Sequence, residues 1–323
     1  MKTTIILLVL LLSQSAMATL DFTSAEAAPG NMRFSWIHGS LSAKANTDVR
    51  VQVHRYNEHT YILRQNAAVH WEAPFMYLLF GDKQVVLLDT GATSEADYFP
   101  IRQTVDAVIE RWQQANNISD VQLIVVPLGS ELSQTEGLGQ FEDRPGTKIM
   151  AATASGRKSL MAGNDRISLD LGGRALTLLK TPGIDEFAIT FYDPWTDLMF
   201  TGNTFYAGRL VIRDFAAYKD SLKRLVAFSD EQPVKWIMDG RIEMSDYPGV
   251  DYRLRSNFRP REHSLQMPAS LLYEGYDIVH LINGKQDIRI HDEFIVMNGV
   301  GRGARDYGWP TYTPERFRRV RLR

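Results

Sequence analysis

Four oxygen-bearing residues, Asp89, Glu131, Glu136 and Asn203, are of the type that holds calcium or magnesium. Ser130 and Ser133 offer hydroxyls, but the chain has no G-x-S-x-G turn and no histidine near either serine in sequence, so a serine hydrolase is disfavoured. Three histidines, His38, His54 and His59, follow one another at intervals of sixteen and five. That spacing fits no metal-ligand pattern, and they read as solvated surface residues. Cysteine is absent, which removes thiolate chemistry and disulfides together.

Residues 121–141, VQLIVVPLGSELSQTEGLGQF, contain Ser130, Glu131, Ser133 and Glu136. The apolar run 123–126 closes on Pro127, and a polar segment then leads to Gly137, which predicts a buried strand, a loop and a helix start. Three other blocks share a pattern with this one. Residues 73–92, APFMYLLFGDKQVVLLDTGA, end in L-x-D-T-G with Asp89 as its acid. Residues 181–210 carry P-G-I and then T-G-N, and residues 235–252 read KWIMDGRIEMSDYPGVDY. In order and spacing these blocks resemble the metallo-β-lactamase superfamily over residues 60–265.

The resemblance implies an α/β fold, the αββα sandwich of the metallo-β-lactamase type, with a C-terminal extension. It also assigns the family's zinc-ligand positions. With the motif glycine set on Gly137, the H-x-H-x-D-H ligands fall on Gly129, Glu131, Ser133 and Gln134. The remaining positions carry Ile184 for His, Asn203 for Asp and Arg241 for His. A hydrolytic zinc site takes imidazole, thiolate or carboxylate ligands and keeps one position open for water. Gly129 and Ile184 have no donor, Ser133, Gln134 and Asn203 are weak neutral donors, and Arg241 is a permanent cation. Only Glu131 is a suitable ligand, and Arg241 argues against calcium or magnesium in the same place.

The expectation is therefore a pseudoenzyme with no catalytic residues, no metal and no cofactor. Asp89, Gly129, Glu131, Ser133, Gln134, Ile184, Asn203 and Arg241 then line a pocket for a small molecule or a protein partner. The alternative is a hydrolase of the superfamily acting with rearranged or non-zinc ligands. Arg241 is expected either to pair with Asp89 or Glu131 and hold the loop 128–136, or to swing out to solvent.

Strands are predicted over 60–65, 76–80, 84–89, 123–126, 148–152, 167–171, 175–179, 187–192, 198–201 and 234–238, with amphipathic helices over 99–114 and 214–228. His70-Trp71-Glu72 precedes the second strand and reads either as the edge of a pocket or as packing. Beyond residue 261 a helix over 270–276, short strands over 287–290 and 294–297, a Gly/Arg-rich loop over 299–308 and a basic tail, ERFRRVRLR, are expected. The domain reading is a signal peptide (1–18), an N-terminal arm (19–57), the metallo-β-lactamase-like domain (58–265) and the C-terminal extension (266–323).

Lys2, the apolar run 5–12 and Ala16-Met17-Ala18 compose that signal peptide, and predict export to the periplasm or the medium. Eight apolar residues are too few to span a bilayer. The net charge of −2 argues against nucleic acid as a partner.

Overall fold

The structure is a computed structural model that describes residues 20–23, 26–305 and 317–319. The expected signal peptide lies outside them, as does the basic tail apart from 317–319. The first sheet is built from β1 (Val51–Asn57), β2 (Thr60–Gln65), β3 (Phe75–Phe80), β4 (Gln84–Leu88), β5 (Gln122–Val126) and β6 (Thr147–Ile149), in that order. Pairing is antiparallel from β1 to β4 and parallel from β4 to β6. The crossover from β4 to β5 is α1 (Ile101–Asn116), whose Val105, Val108, Ile109 and Trp112 bury one face against Leu78, Phe80, Val85 and Leu123. That stripe at helical spacing is what fixes α1 on the outer face of the sheet.

Between β5 and β6 the chain forms α2 (Leu132–Thr135), a single turn, and a 3-10 segment, Glu136–Phe141. After β6 comes α3 (Ala154–Met161), which the sequence reading lacks. Its apolar stripe is short, and Thr153 starts it by accepting a hydrogen bond from the Gly156 amide.

The second sheet follows. It takes β7 (Arg166–Asp170), β8 (Ala175–Lys180), β9 (Ile189–Asp193) and β10 (Leu198–Gly202), and, after β11 (Arg209–Ile212) leaves it, β12 (Trp236–Asp239) and β13 (Gln266–Pro268). The inner faces of the two sheets meet through residues such as Phe75, Tyr77, Val86 and Val126 on one side and Leu178, Phe191, Phe200 and Ile237 on the other. The Tyr77 and Phe200 rings stand 4.7 Å apart. Outside the second sheet lie α4 (Phe215–Glu231) and α5 (Leu271–Ile282), completing the αββα layers. α5 runs longer than expected because Ile278, Val279 and Ile282 continue its buried face.

Arg174 fastens the two sheets at one end. Its guanidinium, fully buried, donates to Asp193, to Thr60 Oγ1 and to the carbonyls of His59 and Phe80. His59 is therefore no surface residue, and its Nδ1 also accepts from the Trp112 indole at 3.0 Å. His54 is buried as well, stacked on Phe34, and only His38 is exposed. Aromatic neighbours, invisible in the spacing of the histidines, decide this.

A third sheet does not appear in the sequence reading. It joins β11 to β14 (Asp287–Ile290), β15 (Ile295–Asn298) and β16 (Phe317–Arg319) in the order β11-β15-β14-β16. The pairing of β11 with β15 is parallel and sets Arg209 opposite Ile295 and Ile212 opposite Asn298, too distant in sequence for local periodicity to announce. It brings the 3-10 turn Arg302–Arg305 over the end of the second sheet.

Candidate functional site

Asp89 follows β4 in a left-handed conformation (φ 62°), which aspartate tolerates better than most residues. The carboxylate accepts the Leu128 amide at 2.6 Å and the Gln134 side-chain amide at 3.2 Å on both oxygens. Gln134 is held from its other side too, since its backbone carbonyl accepts from Thr90 N and Thr90 Oγ1 at 2.9 Å. Burial pushes the Asp89 carboxyl up to about 7 in spite of the amides of Leu128 and Gln134 and the charges of Arg157 and Arg241, which work against that shift.

From Gln134 the network runs outward. Its Oε1 accepts from Asn203 Nδ2 at 3.2 Å, and the same nitrogen lies 2.6 Å from Glu131 Oε2. Arg241, placed just after β12 and 3% exposed, donates to Glu131 Oε2 at 3.2 Å, Ser133 Oγ at 3.1 Å, Glu72 Oε1 at 2.8 Å and the Tyr206 hydroxyl at 3.2 Å. Burial opposes the charge on Arg241, and Tyr206, Glu72 and Glu131 outweigh it, so the guanidinium is held in its charged form. Glu131 Oε1 is taken by the exposed Arg213 at 3.0 Å.

Five of the eight residues singled out in the sequence, Glu131, Ser133, Gln134, Asn203 and Arg241, thus share one hydrogen-bonded cluster, and Asp89 joins it through Gln134. Arg241 reaches Glu131 but not Asp89, because the Gln134 amide stands on the Asp89 carboxylate instead. Solvent is not where Arg241 goes. Ile184 is buried among apolar core residues and, as its side chain dictates, contributes no polar group. Its neighbour Asp185 faces the loop, accepting the Ser130 amide and hydroxyl at 2.8 and 2.6 Å.

Gly129 leaves room for Gln134. A Cβ at position 129 would stand 2.5 Å from Gln134 Oε1 and 3.4 Å from the Asp185 carboxylate. Gln134 is fixed by hydrogen bonds at both ends of its amide, so it cannot yield without losing one. Gly129→His is expected to destabilise the protein by about 1–3 kcal/mol through overpacking, measured as a lower urea midpoint at unchanged slope.

The sequence does not single out Tyr206, Glu243 or Arg302. Glu72 edges the cleft, 2.8 Å from both Arg241 and Arg302. Burial raises the Glu72 carboxyl, but the two guanidinium groups outweigh burial and hold it below the usual range. Glu243 bonds Arg302 and the Arg209 amide, and lies 3.5 Å from Arg241 Nε. The R-I-E spacing of Arg241 and Glu243 puts both on one side of an extended chain, which was an available signal. Arg302, from the far C-terminal turn, had none.

A metal does not fit these residues. Among the described residues no group of three or more His, Cys, Asp or Glu is placed to hold an ion. Glu131, the sole carboxylate at a ligand position, has both oxygens engaged, and a guanidinium stands at 3.2 Å where a second cation would be repelled.

No family model matches the sequence, and no curated protein matches it. Among solved structures, TMB-1 aligns with a TM-score of 0.51 at 11% identity, covering 73% of this chain and 100% of that one. A metallo-β-lactamase from Pontibacter korlensis aligns at TM-score 0.48 and 15% identity over 71% of this chain and 99% of that one, and VMB-1 at 0.48 and 12% over 73% and 100%. Together with the layered architecture, the TMB-1 alignment shows that the chain has the metallo-β-lactamase fold.

Proposed function

We propose that this protein is an exported, non-hydrolytic pseudoenzyme that uses the former metal cleft to bind a small molecule or a protein partner. One observation carries the reading: Glu131, Ser133, Gln134 and Asn203 bond to Arg241 or to one another, and both carboxylate oxygens of Glu131 are engaged by Asn203, Arg213 and Arg241. Polar clusters bonded in this way hold a loop in one geometry. They supply neither an acidified water nor an electrophile. No helix among the described residues is long and apolar enough to cross a membrane.

Purified protein dialysed against metal-free buffer is expected to hold well under one equivalent of zinc by elemental analysis. It should hydrolyse lactams, lactones and thioesters no faster than a denatured control. Structural zinc binding draws on roughly 10–16 kcal/mol from correctly typed, deprotonated ligands, which this cleft lacks. One or two equivalents of zinc accompanied by turnover would replace this reading with a hydrolase working through rearranged ligands. Mass spectrometry of the native protein should find residues 1–18 removed.

A further inference from the structure

Arg302 occupies a pocket built to take a guanidinium. It comes from a 3-10 turn that the third sheet docks over the cleft, and Arg209 fixes that turn by donating to the Arg302 carbonyl at 3.0 Å. Its two terminal nitrogens divide between two carboxylates, Nη1 donating to Glu72 Oε1 at 2.8 Å and Nη2 to Glu243 Oε1. The guanidinium carbon lies 5.3 Å from the centre of the half-buried Trp71 ring. Two carboxylates set at the ends of a flat fork, beside an aromatic face, suit a guanidinium better than a compact ammonium.

Charge gives the second argument. Glu72, Glu131 and Glu243 converge here, Arg241 lying against all three, Arg302 against Glu72 and Glu243, and Arg213 against Glu131 at the rim, with the Arg259 charge also acting on Glu72. Remove Arg302, and Glu72 and Glu243 each lose a guanidinium partner beside Trp71. The pocket reads only the two terminal nitrogens, since Arg302 Nε is buried with no hydrogen-bond partner. An alkylguanidine attached in another way would therefore satisfy it equally.

The geometry points to a binding site for guanidinium compounds, arginine-like small molecules or arginyl side chains, formed by Glu72, Glu243 and Trp71 and occupied in cis by Arg302. This rests on the reading of the cleft as a metal-free binding site and names its ligand class. A tethered occupant has an effective concentration of about millimolar or more, so an external guanidinium competes poorly with it until the turn lets go.

The test is calorimetric titration of agmatine into wild type and Arg302→Gly, with circular dichroism to confirm folding and zinc measured in the same samples. Arg302→Gly is expected to bind agmatine saturably and at least about tenfold tighter than wild type, in line with removal of the tethered competitor. Putrescine, urea and sodium chloride at matched ionic strength should not reproduce it, and adding Glu243→Gln should abolish the gain. If Arg302→Gly does not fold, Arg302→Gln takes its place in the same titration. Agmatine binding no tighter than in wild type, or equal binding of putrescine, in a folded and zinc-free variant overturns this inference while leaving the function proposed above intact. Stoichiometric zinc in the wild type would overturn both.

Discussion

Replacing Arg241 by alanine is expected to lower the unfolding free energy by about 3–5 kcal/mol, the cost of stripping one partner from a buried charge cluster. Glu72 and Glu131 would each lose a hydrogen bond to a cation, and Ser133 and Tyr206 would lose a donor as well. Arg302 would still neutralise Glu72, whereas Glu131 would keep only Asn203 and the exposed Arg213. Arg241→Lys keeps the charge but not the fork, so it should fall between wild type and alanine. Pairing Arg241→Met with Glu131→Gln should recover part of the loss, because both members of the ion pair are then neutral. Chemical denaturation of the four proteins provides the check. A loss below about 1 kcal/mol for Arg241→Ala, the range of exposed pairs, would contradict a central role for this residue.

Stability should also fall between about pH 4 and pH 7 because of Asp89. Its carboxyl is raised from 3.8 to about 7 in the folded protein, with burial as the main cause. Within that window the folded state holds a proton that the unfolded state has released, so the native protein is favoured at the acidic end and loses that advantage as the pH passes 7. The shift corresponds to about 4 kcal/mol across the window. Asp239, fully buried with one oxygen unpartnered, is raised by burial in the same direction, and Glu72 is shifted downward and acts oppositely at lower pH. The contribution of Asp89 is therefore read as the difference between wild type and Asp89→Asn. The variant should flatten the profile between pH 4 and 7, keeping an acceptor for the Leu128 amide. Parallel profiles for the two proteins would show that Asp89 stays ionised throughout.

Much of the framework was legible in the sequence because its signals are local. The continuous apolar runs of β3, β4 and β5 announce strands covered on both faces, and the stripe from Ile101 to Trp112 announces a helix on the outside of a sheet. The L-x-D-T-G turn placed Asp89, and the blocks around it placed seven ligand positions whose residue types already argued against zinc. The partners of those residues were not legible. Glu72 lies 169 positions from Arg241, and Arg302 lies 59 from Glu243 and 230 from Glu72.

Residue type and local spacing determined the strands, the helices and the unsuitability of residues 129–134, 184, 203 and 241 as a zinc ligand set, since each follows from side-chain character within a few positions. The tertiary structure alone decided which carboxylate meets which guanidinium. It set Gln134 rather than Arg241 on Asp89, moved Ile184 into the core and brought Arg302 over the cleft through β11 and β15. Ion pairing in a buried cluster depends on distances of a few ångströms between segments far apart in the chain, and those distances exist only once the sheets have packed.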